Sequence, residues 1–107
     1  MPTITALVQF SLPEAITRAQ AREIFRNTAP RYLDMPGLVR KYYILSEDGR
    51  TAGGMYLWRS RADAERVYDA AWKQFVQEKY GAPPQLTLFE SPVQVDNLTR
   101  EILVDES

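Results

Sequence analysis

The 107 residues contain no cysteine and no histidine, and these two absences close off more chemistry than any motif opens. Without thiols there are no disulfides, no thiolate nucleophile and no cysteine-ligated zinc. Without imidazole, the Ser-His-Asp and Cys-His triads, histidine-ligated haem, the facial triad of non-haem iron and the common catalytic zinc sites lose their bases or ligands. An excess of one charge is missing as well: 13 Lys and Arg stand against 14 Asp and Glu, a net −1. No global field therefore gathers nucleic acid or an anionic bilayer, and neither is expected as a partner. No stretch reaches the ~18 uncharged apolar residues of a membrane span. The N-terminal MPTITALVQF lacks a basic segment followed by a long apolar one, which points to a cytoplasmic protein. What remains is ordinary: 45% hydrophobic and 25% charged residues, as in a folded chain whose length suits one domain with one layered core. Chemistry must come from Tyr, Trp, Arg, Lys, Asn, Ser, Thr, Asp or Glu, or from the ligand itself, and no metal or organic cofactor is expected.

Residues Ile4 to Leu12, ITALVQFSL, are β-branched and apolar with partial alternation, which predicts a strand from about Thr3 to Phe10 ended by Pro13. Thr17 followed by Gln20 forms a capping box, and Ala21, Ile24, Phe25, Thr28 and Tyr32 continue at helical spacing from about Arg18. Pro30 ends or kinks that helix near Ala29. LVRKYYIL, Leu38 to Leu45, and Thr51 to Arg59 read as strands joined by the turn-forming Ser46-Glu47-Asp48-Gly49-Arg50. Ser60, with Asp63 three residues on, caps a second helix with a stripe of Ala64, Val67, Tyr68, Ala71 and Phe75, widened by Trp72 and Val76, ending by Tyr80-Gly81. Gln85 to Glu90 is a last strand broken by Ser91-Pro92, and Leu98 to Val104 is either a short helix or an arm.

The order strand, helix, strand, strand, helix, strand is a ferredoxin-like βαββαβ sandwich of the α+β class, each helix returning the chain to a parallel neighbour. Two helices cover only one face of four strands. Both faces of Met55-Tyr56-Leu57-Trp58 are apolar, however, so the second face is expected to be covered by a second copy, giving a homodimer with two sheets face to face.

Met35-Pro36-Gly37-Leu38, Ala52-Gly53-Gly54-Met55-Tyr56-Leu57, Phe89-Glu90-Ser91-Pro92-Val93 and Asp96-Asn97, taken in order over nearly the whole chain, resemble the YdhR-type monooxygenases of the dimeric α/β-barrel superfamily. The resemblance implies the dimeric barrel, a pocket in each subunit between sheet and helices, and cofactor-independent oxygenation of an aromatic or polyketide-like small molecule. Neighbouring branches degrade haem through an axial histidine or isomerise lactones with histidine help, and this chain has none. The alternative is a non-catalytic small-molecule binding or stress-response module of the same fold.

Twelve aromatic residues suffice to line an apolar pocket with hydroxyl and indole donors at its edge. They equally suit a plain core. If a pocket lies between the layers, Phe25, Tyr32, Tyr68 and Trp72 from the helices and Tyr56 and Trp58 from the sheet form it, with Gly54 on the same strand face leaving room for a flat ligand. A bulge is the other explanation for the paired glycines. Oxygenation without a cofactor requires a substrate anion that itself reduces dioxygen, so the protein must direct a proton, hold the anion and exclude water. Tyr43, Tyr56, Asn27 and Arg40 are the candidate catalytic residues, though strand parity sets Arg40 on the face opposite Tyr43. Lys41, like Arg40, has the plain reading of a solvated strand end. Asp63, Glu65 and Asp69 spread around their helix and offer no metal cage.

Overall fold

Alternation in the first strand is carried through without interruption: Ile4, Ala6, Val8 and Phe10 of β1 (Ile4–Ser11) are buried while the residues between them are not. In the computed structural model, which describes residues 3–105, this strand lies inside a four-stranded antiparallel sheet of order β2-β3-β1-β4. Its partners are β2 (Leu38–Leu45), β3 (Thr51–Trp58) and β4 (Gln85–Glu90). The expected parallel neighbours are replaced by a split arrangement. β1 and β2 run the same way, but β3 sits between them, because the hairpin at Asp48-Gly49 pairs β3 with β2 first and leaves its other edge for β1.

The capping box forms as the spacing predicts: Gln20 N–H donates to the Thr17 hydroxyl at 3.1 Å and the Gln20 side chain accepts from Thr17 N–H at 2.8 Å. Helix α1 runs Arg18–Thr28 and tightens through Pro30 into a 3₁₀ turn, Ala29–Arg31. The second helix is two helices, α2 (Arg61–Val67) and α3 (Ala70–Tyr80). Asp69 breaks it by taking an extended conformation and accepting the Trp72 N–H at 2.8 Å, as an N-cap does. Gly81 closes α3 in the left-handed region at φ 82°. Of the expected stripe, Ala64, Tyr68, Trp72 and Val76 are buried, whereas Ala71 faces solvent.

All helices lie on one sheet face. The core there joins Ile4, Ala6, Val8 and Phe10 of β1 with Ala52, Tyr56 and Trp58 of β3 beneath Tyr32, Ala64, Tyr68, Trp72 and Val76. The C-terminal segment is neither helix nor loose arm but a hairpin, β5 (Val93–Asp96) with β6 (Glu101–Val104), turned by Asp96, whose carboxylate accepts from Leu98 N–H at 2.9 Å. Asp105 fastens its end to the start of β1 by accepting from Thr3 N–H at 2.7 Å and Thr3 Oγ1 at 3.0 Å. Among the described residues no helix is long and apolar enough to cross a membrane.

Candidate functional site

Between Leu38 and Arg40 the pairing of β2 with β3 slips by one residue: Leu38 stands opposite Trp58 and Arg40 opposite Leu57. Val39 is the extra residue of a β-bulge. From that point Lys41 pairs with Tyr56 and Tyr43 with Gly54 on the helix-covered face, while Arg40 and Tyr42 turn to the other. The bulge thus decides which polar groups enter the space between sheet and helices.

That space is a continuous aromatic layer. Tyr56 and Trp58 stack with centroids 6.2 Å apart, and Tyr68 meets both edge-on at 5.5 and 5.7 Å. Trp72 continues the layer at 4.7 Å from Tyr68, and Tyr32 reaches Tyr56 at 5.8 Å. Both indole N–H groups are satisfied: Trp58 donates to the Tyr68 hydroxyl at 2.9 Å and Trp72 to the Tyr32 hydroxyl at 3.1 Å. Burial raises the Tyr56 and Tyr68 hydroxyls well above the ordinary phenol value, so both stay protonated donors.

Lys41 enters this layer as its only ammonium among the described residues. Its Nζ lies 3.4 Å from the centroid of Tyr32, 3.8 Å from Tyr43 and 4.5 Å from Tyr56, three ring faces that attract a cation electrostatically. No carboxylate pairs with it among the described residues. Burial, with the nearby Arg31 guanidinium, holds its pKa down at about 7. Arg31 itself lies over the Phe75 ring at 4.1 Å.

Tyr43 is the outer wall of the layer. Its ring stacks on Phe25 at 4.7 Å, its hydroxyl shares a 2.7 Å hydrogen bond with Thr28, and burial pushes that hydroxyl up to about 12. Inward from it lies a small, partly enclosed space of about 20 Å³ among Thr28, Tyr32, Lys41, Tyr56 and Trp72, room for one water-sized molecule. Outward lies an open groove of about 860 Å³ between α1 and the edge strand β2, within the range of small-molecule sites. Ile16, Ala21, Phe25, Tyr43 and Leu45 give the groove its apolar lining, with Arg18, Arg22 and Arg26 along α1 and Glu47 and Asp48 on the hairpin turn opposite.

The sequence-derived candidates divide accordingly. Phe25, Tyr32, Tyr43, Tyr56, Trp58, Tyr68 and Trp72 come together in one network. Gly54 belongs to the same face, but the room it leaves is taken: a Cβ there would stand 3.0 Å from Tyr56 Cε1 and 3.1 Å from Lys41 Cε. Asn27 is exposed on α1, outside the network. Arg40 lies on the opposite sheet face, 3.6 Å from Asp96 of the C-terminal hairpin and 3.4 Å from the Tyr42 hydroxyl, a contact that raises its pKa. Its place is that of an anchor for β5. Lys41 was the residue sequence reasoning passed over; a lone lysine flanked by aromatic residues at alternate positions was the available signal. No group of three or more Asp and Glu among the described residues is placed to hold a metal ion.

A model of the family described as "Putative mono-oxygenase ydhR" matches residues 7–83. The fold is similar to that of SnoaB, a cofactor-independent oxygenase from Streptomyces nogalater, with a TM-score of 0.62 at 17% identity over 85% of this chain and 94% of that one. It is similar also to the ActVA-Orf6 monooxygenase of Streptomyces coelicolor, solved with the ligand nanaomycin D, with a TM-score of 0.64 at 16% identity over 84% and 88% of the two chains. Protein SO0527 from Shewanella oneidensis shares the fold at a TM-score of 0.63 and 14% identity, over 84% and 91%. No curated protein matches at a significant level.

Proposed function

The chain belongs to the ydhR mono-oxygenase family, and from that premise we propose that it is a cofactor-independent monooxygenase acting on an aromatic or polyketide-like small molecule. The observation that carries the reading is the groove of about 860 Å³ whose apolar wall is the Phe25–Tyr43 stack, backed directly by the aromatic layer. A planar substrate stacks on that wall better than an aliphatic one, because offset ring pairs add attraction beyond area burial. Phe25 and Tyr43 are its contacts; Tyr32, Tyr56, Trp58, Tyr68 and Trp72 hold the wall in place from behind.

A chain free of histidine and cysteine suits chemistry in which the substrate is the reductant. An anthrone-type CH₂ flanked by rings loses a proton, and the resulting anion passes one electron to dioxygen. Recombination of the radical pair forms a carbon–oxygen bond to a peroxide, and loss of water leaves a ketone, so that R₂CH₂ and O₂ give R₂CO and H₂O. The protein's work is to stack the ring, exclude water and stabilise charge on the carbonyl oxygen. Tyr43, protonated up to about pH 12, serves as a donor to that oxygen and not as a base.

The same reading includes a homodimer. The sheet face without helices exposes Tyr42, Met55 and Phe89, and the C-terminal hairpin beside it exposes Val95, Leu98 and Ile102, large apolar side chains that a partner would cover. The Cα radius of gyration, 14.6 Å, exceeds the ~13 Å of a compact chain this long, as expected of a hairpin that reaches for a partner.

Oxygen uptake with anthrone and with a naphthoquinol tests the activity. Uptake matched by ketone or quinone formation, and lost in Ala29→Trp, which plugs the groove from an exposed position, is the expected result. Saturable binding of both compounds without uptake would replace the enzyme by a binding module.

A further inference from the structure

The aromatic layer poses a question that oxygenation alone leaves open: burial keeps Tyr43, Tyr56 and Tyr68 protonated, so none of these three accepts the substrate's proton. One group in contact with the layer can. We propose that Lys41 ionises and then holds a phenolic hydroxyl of the substrate, so that the preferred substrates are arenes carrying an acidic hydroxyl beside the carbon to be oxidised, and not neutral hydrocarbons. This rests on the groove beside Tyr43 being the substrate site.

The geometry argues for it in three steps. Lys41 Nζ lies within 4.5 Å of the ring faces of Tyr32, Tyr43 and Tyr56, and among the described residues no carboxylate forms a salt bridge with it. An ammonium so placed gains more from an incoming oxyanion than a salt-bridged one, since the anion replaces nothing. Second, Tyr43 lines both the outer groove and the inner space that Lys41 borders. The ring is held by the Thr28 hydroxyl and the Phe25 face on its outer side and by Tyr32 and the Lys41 ammonium on its inner side. Ionisation at Lys41 requires Tyr43 to turn on binding, joining the two spaces so that a ring stacked on Phe25 brings its hydroxyl to the amine. Third, the charged and titratable groups facing Lys41 are Arg31 and Tyr32 beyond α1, Tyr43 on its own strand, Tyr56 on β3 and Tyr80 on α3. They include one cation and no carboxylate: burial and the Arg31 guanidinium favour the neutral amine, while the three ring faces help to hold the ammonium once an anion arrives. The lowered pKa of about 7 agrees.

The step is a proton transfer with no net oxidation. The phenolic O–H bond breaks, its electron pair stays on oxygen, an N–H bond forms, and a phenolate–ammonium pair results. Each charge then lowers the cost of the other. An opposite charge within ~4–6 Å shifts a titrating group by about 1–3 units, so the bound phenol becomes ~10- to 1000-fold easier to ionise.

The test uses 2-naphthol, whose naphtholate absorbs to the red of the neutral form, and its methyl ether, which cannot ionise. The wild-type protein at pH 8 is expected to bind both and to show the naphtholate band with the first. Lys41→Met is expected to bind the ether as the wild type does while its bound naphthol stays neutral, and Lys41→Arg to restore the band by holding the anion. Naphthol bound as the neutral form by the wild-type protein overturns the proposal whatever the variants do, and so does an equal band in Lys41→Met; in both cases the bound ring leaves the groove reading standing. Failure of the wild-type protein to bind either compound removes the groove reading and this inference with it.

Discussion

Removing the Lys41 ammonium changes how stability depends on pH, and the change can be worked out before any substrate is known. In the unfolded chain the amine titrates at its ordinary 10.5, in the folded chain at about 7. Between those values the unfolded state holds one proton more than the native state, so stability rises with pH across the window. The full span is ~3.5 units, or ~5 kcal/mol at ~1.4 kcal/mol per unit. The experiment reads only the ~2.5 units between pH 7 and 9.5, with the native amine half titrated at the lower end, which leaves ~3 kcal/mol. The tyrosines act in the opposite sense. Tyr43, raised to about 12, and Tyr56 and Tyr68, raised further, contribute stability that is complete below ~10 and lost above it. Lys41 therefore dominates between pH 7 and 9.5. Urea unfolding of the wild type and Lys41→Met at those two values, at one protein concentration, should show the wild type gaining ~3 kcal/mol more than the variant on going to the higher pH. Parallel pH dependences in the two proteins would refute the placement of an uncompensated ammonium among the rings.

Three further outcomes are expected. Trp58→Ala should cost ~3–5 kcal/mol, since the ring is completely buried, and Tyr68→Phe ~1–3 kcal/mol, because the Trp58 N–H then lacks its acceptor; urea midpoints at constant slope check both. Gly53→Ala should fail to accumulate as soluble protein, because its Cβ would collide with the Val8 carbonyl oxygen of β1, whereas Gly54→Ala, facing contacts of 3.0–3.3 Å, should fold with a loss of ~1–2 kcal/mol; expression and thermal melts separate them. Light scattering tests the proposed homodimer: Leu57→Asp, on the face away from the helices, should turn it into a monomer or an aggregate through burial of an unpaired carboxylate. An unchanged dimer would place the interface elsewhere, and a monomeric wild type would remove it.

Much of the fold was readable because local signals and tertiary packing agree. Residue alternation in β1, the Thr17–Gln20 box and Asp48-Gly49 each name an element, and each element forms at that place. The break at Tyr68-Asp69 was hidden for a definite reason. Ala64, Tyr68, Trp72 and Val76 are spaced by four, so they stay on one buried side whether or not the helix is interrupted between the second and the third. Periodicity is blind to a break that preserves phase; the cap preference of Asp69 was the signal that carried the information. The C-terminal hairpin was obscured differently. Its apolar side chains are mostly exposed, so no inward alternation marks it, and only the Asp96-Asn97 turn does.

The candidate site was legible in its rings and illegible in its charge, and a single residue accounts for the difference. Strict alternation from Leu38, which packs on the core, would send Arg40 and Tyr42 inward and leave Lys41 and Tyr43 outside. The bulge at Val39 inserts one residue and reverses every side chain after it. An aromatic core tolerates either register at that edge, since Tyr42 and Tyr43 each supply a ring. The cations are not equivalent. Arg40 inward would bury a guanidinium with five donors against rings that accept none of them. Lys41 inward buries one compact ammonium that sheds its proton near neutral pH and keeps its stem against Gly54 and Tyr56. The bulge thus selects the one cation of the pair that the layer can hold in two protonation states, and Arg40, turned to the other face, is left to fasten Asp96 of the hairpin.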